Sequence, residues 1–187
     1  MTNGAELKLG DRASAKLTAF PGIDAGLKLQ GVYHVEAHDK HGNFKWRDYA
    51  KNVVTTTGIQ HIMGLLGNDT TIIATWYLGL LSDTTITTTD IIGTIGGEAT
   101  EYTGSRKTWS NGLTVNTLSN TDNLATFTMD KDGTTVEGCF LCSSNTNGGS
   151  AGILLSGAPF AGGSKTGDSG DVLTVTYKLV GSDDTSS

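Results

Sequence analysis

Strand-length runs of apolar and β-branched residues, cut every few positions by glycine, asparagine or aspartate, leave room in this chain for only one helix. The punctuation is dense: 26 of 187 residues are glycine, two are proline, and threonine is the other dominant residue. β-Branched threonine suits a pleated surface, and glycine supplies the positive φ that tight turns need. The pattern therefore predicts an all-β chain. Its length suits one domain with a proper core, whereas two domains would be cramped.

Strands are expected over residues 32–37 and 44–50, joined as a hairpin across Asp39-Lys40-His41-Gly42-Asn43. Thr57 is the expected N-cap of the single short helix, which carries Ile59, Ile62, Met63, Leu65 and Leu66 at helical spacing and stops at Gly67 as a C′ glycine. A buried strand over 72–81 and a long Thr-rich loop over 82–95 follow. Further strands are predicted over 107–110, 115–119, 124–129, 135–142, 152–156 and 172–179, with turns at Asn111-Gly112, Asp132-Gly133, Asn147-Gly148-Gly149 and 162–170. The expected architecture is a single β-sandwich over 31–180, jelly-roll-like or immunoglobulin-like, with an extended N-terminal arm over 1–30 and a disordered tail over 181–187. Leu17, Phe20, Ile23, Leu27 and Leu29 make the arm too apolar for a solvated tail, so it is expected to be buried against this domain or a neighbouring subunit.

Lys and Arg number 13 against 19 Asp and Glu, a net charge of −6, with no basic cluster of the kind that neutralises a phosphate backbone. Direct nucleic-acid binding is not expected. Neither a secretory leader pattern nor an apolar run long enough to cross a bilayer stands out, so the expectation is a soluble chain made in a cytoplasm, without a membrane partner.

Several motifs carry a chemical reading beside a structural one. Cys139 and Cys142 form a C-x-x-C, but they lie in a strand-like run after a turn, where residues three apart point to opposite faces. They read as small apolar fillers. His34, Glu36 and His38 alternate on one strand face, and two imidazoles with a carboxylate suit a divalent metal of the cupin type, with His41 nearby. The reading adopted is an ordinary polar or interface face, and no metal or cofactor is expected. Asp130-Lys131-Asp132-Gly133 and Gly167-Asp168-Ser169-Gly170-Asp171 read as turns, or at most a weak cation site, since neither sits in a twelve-residue calcium loop between helices. No G-x-S-x-G elbow presents a nucleophile, and Gly93-Thr94-Ile95-Gly96-Gly97 lacks the spacing of a phosphate loop, so no catalytic residue is assigned. Arg106, with Tyr102 and Trp109 beside it, is expected to stack on a ring or to pair with Glu98 or Glu101. Its alternative is an interface contact, alongside Leu17, Phe20, Ile23 and Leu27.

Blocks in a fixed order add a resemblance. They run through residues 31–36, 39–46 and Lys51-Asn52-Val53-Val54 to Gly58, then Trp76-Tyr77-Leu78-Gly79-Leu80, Tyr102…Arg106…Trp109 and Phe140-Leu141. Together they resemble a family of small virion structural proteins of tailed bacteriophages, most of all capsid cement or decoration proteins. The resemblance implies a non-enzymatic protein on the outside of the head shell, assembled in the host cytoplasm, with the major capsid protein as partner and a homo-oligomeric state, dimer or trimer. A tail or tail-fibre component with a host-surface or glycan-binding role is the alternative, and a cupin-like metal-binding protein is the third reading. The cysteines and paired histidines are not part of the pattern. The arm over Leu7 to Leu29 is the candidate for reaching a neighbour.

Overall fold

A computed structural model describes residues 27–67 and 69–183. The chain begins with β1 (Leu27–His38), β2 (Phe44–Lys51), β3 (Val53–Val54) and α1 (Thr56–Leu66). It continues through β4 (Tyr77–Leu81), β5 (Glu98–Ala99), β6 (Lys107–Thr108), β7 (Gly112–Thr114), β8 (Thr117–Ser119) and β9 (Ala125–Thr128). The last elements are β10 (Thr134–Val136), β11 (Gly138–Cys142), β12 (Leu154–Pro159), β13 (Lys165–Gly167) and β14 (Val172–Asp183).

Two antiparallel sheets enclose the main core, and the all-β sandwich expected from the sequence is what the chain forms. The first sheet runs β2-β1-β14-β8-β7; β14 is long enough to take β9 on the same edge as β8. Its spine is the β1–β14 ladder, paired from Leu27 opposite Asp183 to His38 opposite Val172. The second sheet runs β3-β12-β11-β4-β5, with β6 also on β4, while β10 and β13 pair separately. Alternation buries Tyr33, Val35 and Ala37 of β1 with Val175 and Tyr177 of β14, against Leu78, Leu80, Cys139 and Leu141 of the second sheet.

The second sheet is buried on its outer face as well. Leu81, Phe140, Cys142 and Leu154 form a second cluster there with Ile92, and Ile86 and Ile95 pack against it from the long loop. The 82–95 stretch is thus an irregular roof anchored by its isoleucines. This explains why β11 reads as one uninterrupted apolar run. Gly79 lies opposite Phe140, and a Cβ there would run into the Phe140 ring, so glycine is what lets that ring lie flat on the sheet.

A polar knot ties the sheets together through the core. Tyr33 and Tyr177 stack with centroids 4.2 Å apart. Both hydroxyls meet Ser156 Oγ of β12, at 2.7 and 3.1 Å. Asn52 Nδ2 donates to Tyr177 Oη at 2.8 Å while Asn52 Oδ1 accepts from the Gly31 amide at 2.6 Å. Asn120 accepts from the Tyr177 amide at 2.7 Å and donates to the Val175 carbonyl at 3.0 Å.

Several local expectations are corrected. The N-cap is Thr55, whose Oγ1 accepts from the Gly58 amide at 3.1 Å; Thr57 is already helical and bonds the Leu154 carbonyl at 3.2 Å. Gly67 caps the helix in a right-handed conformation (φ −80°), its amide bonding Met63 O at 3.0 Å, so no left-handed C′ glycine is used. The 72–81 strand is confined to Tyr77–Leu81. Asn111-Gly112 is not the turn: Gly112 opens β7, and Val115-Asn116 forms a two-residue hairpin loop with Val115 at φ +52°. The 135–142 run is split at Glu137 between two sheets. Finally, β1 starts inside the expected arm and β14 ends inside the expected tail, because residues 27–29 pair with residues 181–183 and Gln30 pairs with Val180.

Two tests follow from this frame. Gly79→Ala is expected to lower unfolding free energy by about 1–3 kcal/mol through overpacking, read from urea unfolding as a reduced midpoint at constant slope. In the β1–β2 loop, Asp39 accepts from the Asn43 side chain and from the His41 and Asn43 amides, at 2.8–2.9 Å, with Asn43 the main reason its carboxyl is held down to about 2. The folded value lies below that of an unfolded aspartate, about 3.9. The loop's contribution is therefore present above about pH 4 and lost as pH falls toward 2. An NMR titration of the Asp39 carboxyl should give a midpoint of about 2; a midpoint in the ordinary aspartate range refutes the loop geometry.

Candidate interaction surface

The way α1 is seated turns most of its large apolar residues outward, while Ile62 packs against the main core. A Cβ on Gly58 would stand 2.6 Å from the Leu155 carbonyl oxygen, so the helix approaches β12 on its glycine face. His61, three residues on, follows Gly58 inward and meets Trp76 edge-on at 5.6 Å. Ile59, Met63 and Leu66, at i, i+4 and i+7, then form an outward stripe with 47%, 56% and 73% of their surface exposed. Ile72, beyond the helix, is 76% exposed. Contiguous exposed apolar surface of this kind marks contact sites in soluble proteins.

Beside the stripe lies a hollow of about 140 Å³ lined by Leu29, Val54, Ile59, Ile62 and Met63. Leu29 also borders two larger depressions, one beside Leu113 and Leu118 and one beside Val32 and Val180. At the β7–β8 hairpin Leu113 is exposed, and Val115 at its tip is 95% exposed in a backbone conformation that β-branched residues avoid. Sequence patterning did not mark this surface, because helical periodicity identifies an apolar face without saying whether it is covered. The available signal was the position of Gly58, which permits closer approach than any of the leucines.

His34, Glu36 and His38 share the outer face of β1, opposite buried Tyr33, Val35 and Ala37, as strand alternation requires. They do not converge as a ligand set. Only His38 Nε2 and Glu36 Oε1 approach, at 3.3 Å, while His34 and Glu36 lie across from Tyr49 and Arg47 of β2. Among the described residues no three His, Cys, Asp or Glu side chains are grouped to hold a metal.

Arg106 makes the internal tie expected of it, pairing with Glu98 and lying over a ring, and its buried side chain does not serve the alternative of an interface contact. Its side chain is wholly buried, with Nε and one terminal nitrogen on the two Glu98 oxygens at 2.8 and 2.7 Å. It also donates to the Ser144 and Gly149 carbonyls at 3.2 and 2.8 Å and lies 5.1 Å from the centre of the Phe140 ring. Burial, the largest single influence, would lower its pKa, but the Glu98 hydrogen bonds and the electrostatic pull of Cys142, Glu98 and Tyr102 together outweigh it and hold the guanidinium above its ordinary value. Glu98 accepts from the Gly148 amide at 2.8 Å as well. The pair therefore clamps the 143–153 loop to the edge of the second sheet. The ring that Arg106 stacks on, Phe140, is remote in sequence from Tyr102 and Trp109.

The acidic turns are internal ties too. Asp168 accepts from the Gly133 amide at 3.1 Å and Asp132 from the Ser169 amide at 2.9 Å, while Lys45 Nζ reaches Asp168 at 2.9 Å and Asp171 at 2.5 Å. The ammonium stands where a cation would, and its bond to Asp171 is the main reason its pKa is raised. Cys139 and Cys142 are free and buried on opposite faces of β11, in the two separate apolar clusters. Of the remaining interface candidates, Leu17, Phe20 and Ile23 lie outside the described residues, and Leu27 opens β1 opposite Asp183. No helix among the described residues is long and apolar enough to cross a membrane.

No protein-family model matches the chain, and none of the curated proteins matches it.

The clamp yields a stability test. Arg106→Met is expected to cost about 3–5 kcal/mol, because it strands the Glu98 carboxylate in a buried site. Adding Glu98→Leu to it should restore part of that loss. Thermal and urea unfolding of the two variants measure both effects; equal stability of Arg106→Met and the parent would show that the clamp contributes nothing.

Proposed function

We propose that this protein is a non-enzymatic structural component of a tailed-phage virion, a cement or decoration protein that binds the outside of the head shell. The observation that carries the reading is the apolar stripe turned outward on α1, with Ile72 exposed beyond the helix, on a body whose buried charges are internal ties. The ordered blocks of the resemblance support it from another side. Asn52, Gly58, Gly79, Arg106 and Phe140 all hold the frame in place: the polar knot, the seat of α1, the second sheet and the loop clamp.

The mechanism needs no active site. Copies of the protein span seams between major capsid protein subunits, so that outward pressure from the genome has to break added contacts. A homo-oligomer, dimer or trimer, converts modest affinity per contact into firm retention, because each later contact forms at high effective concentration. A second reading, a tail or tail-fibre component that binds a host glycan, draws on the exposed Phe44 and Tyr49 of β2, which flank Arg47 and face the histidines of β1.

Mixing the purified protein with expanded capsids that lack it should give saturable co-sedimentation at a symmetry-consistent copy number and a raised capsid melting temperature. Leu66→Asp and Ile72→Asp should each weaken capsid binding roughly ten-fold or more, as expected for losing about 1.5–3 kcal/mol of apolar burial, without lowering the protein's own melting temperature. Absence of binding by the parent protein refutes the cement role, and selective retention on a glycan array would establish the fibre reading instead.

A further inference from the structure

We propose that the outer edge of β7 is a self-association site, at which it pairs antiparallel with β7 of a second copy about a twofold axis through Leu113. β7 ends the first sheet, and among the described residues nothing hydrogen-bonds to its outer edge. At the other end of that sheet β2 is covered: the Ala161 amide donates to the Tyr49 carbonyl at 3.0 Å and the Trp46 indole to the Thr166 carbonyl at 3.2 Å. A bare edge offers unpaired amides and carbonyls to another strand, and monomeric proteins blunt such edges with lysine, proline or a covering loop. Residues 108–121 contain neither a charged side chain nor a proline. Two copies therefore meet here without like charges facing one another.

Register fixes which groups face outward. The two-residue loop closes on Thr114 opposite Thr117, so the hairpin's hydrogen bonds run through that pair and through Gly112 opposite Ser119. The amide and carbonyl of Leu113, between them, point away from β8. A donor and an acceptor on one residue are self-complementary: about a twofold axis, Leu113 exchanges both bonds with the partner's Leu113. The side chains select the same axis. Leu179, Leu118 and Leu113 stand opposite one another on three neighbouring strands, hence on one face, and exposure climbs from 7% at Leu179 to 71% at Leu113. With Leu29 they line a depression of about 530 Å³. Pairing at Leu113 sets the partner's Leu113 next in that row and covers its exposed end. The same register puts Val115 opposite the partner's Asn111. Val115 is 95% exposed and, among the described residues, the one non-glycine at positive φ, in a loop position that hairpins fill with glycine, asparagine or aspartate. The strained tip thus lies within the contact, where strain has a use.

The pairing uses no residue of the α1 stripe and is tested on the full chain without capsids, so its failure and that of the capsid reading are separate results. Sedimentation velocity over a concentration series reaching about 1 mM should show a monomer–dimer equilibrium. Leu113→Lys, which sets two ammonium groups against each other across the axis, should raise the dimer dissociation constant at least ten-fold without lowering the melting temperature of the monomer, since the side chain is largely exposed. As a second measurement, Leu113→Cys should be linked by mild oxidation into a dimer joined through position 113, because Cα atoms across a hydrogen-bonded antiparallel pair lie about 5.5 Å apart, within disulfide reach. Ile72→Cys, at a comparably exposed position, should stay unlinked, and the native cysteines are buried. A parent chain that remains monomeric, an oligomer indifferent to Leu113→Lys, or a link formed as readily by Ile72→Cys as by Leu113→Cys overturns the proposal.

Discussion

The hydroxyls of Tyr33 and Tyr177 meeting on Ser156 are the interaction from which the rest of the molecule takes its register. Buried hydroxyls cost free energy unless they are paired, and pairing across a sheet interface is possible at only one alignment of the sheets. Burial pushes both tyrosine pKa values up, so the knot stays neutral. A slip of β12 by one residue would turn Ser156 out of the core, taking the partner of the Tyr33 hydroxyl away and leaving Tyr177 with Asn52 alone. Apolar packing alone tolerates such slips better, since leucine and valine are exchangeable within a layer.

The consequence runs along the chain to the interaction surface. Asn52, held by Tyr177 and by the Gly31 amide, sets the start of β3, which pairs Val53 and Val54 with Gly157 and Ser156. Thr55 follows at once, its hydroxyl bonded to the Leu154 carbonyl while it caps α1. From the knot to the first turn of the helix there is no free joint. The outward stripe on α1 is therefore presented by a rigid support, and a rigid apolar surface loses little conformational entropy on binding.

Sequence patterning recovered what depends on local chemistry. The β1–β2 hairpin follows from strand alternation and from Asp39, Gly42 and Asn43, and the opposite facing of Cys139 and Cys142 follows from the period of a strand. It failed where tertiary contacts decide. Nothing local says that Glu98 rather than Glu101 meets Arg106, because the choice depends on β5 and β6 both pairing with β4. Nor does periodicity say which side of a helix is inner. In α1 the close approach permitted by Gly58 outweighed the apolar stripe, and a glycine at an inward position is weaker evidence than five large apolar side chains. The long loop was legible as a loop, but its isoleucines signalled a covering role only once the outer face of β11 was seen to be apolar.

The placement of charge explains why an exposed apolar stripe is tolerable in this protein. Lys45, Lys165 and Arg106 are each engaged by a carboxylate, Asp171, Asp48 and Glu98 respectively, that is itself almost fully buried. Cations are drawn into the frame, and a net charge of −6 is left to act largely at the surface. Copies of the chain then repel one another at distances where the stripe has not yet made contact, which limits indiscriminate association. At ionic strengths near physiological that repulsion fades beyond about 8 Å. A partner whose surface matches the stripe closely enough to dock can still overcome it. Apolar burial grows with contact area and needs no particular hydrogen-bonding geometry, so each of many equivalent sites on a lattice can contribute the same small increment.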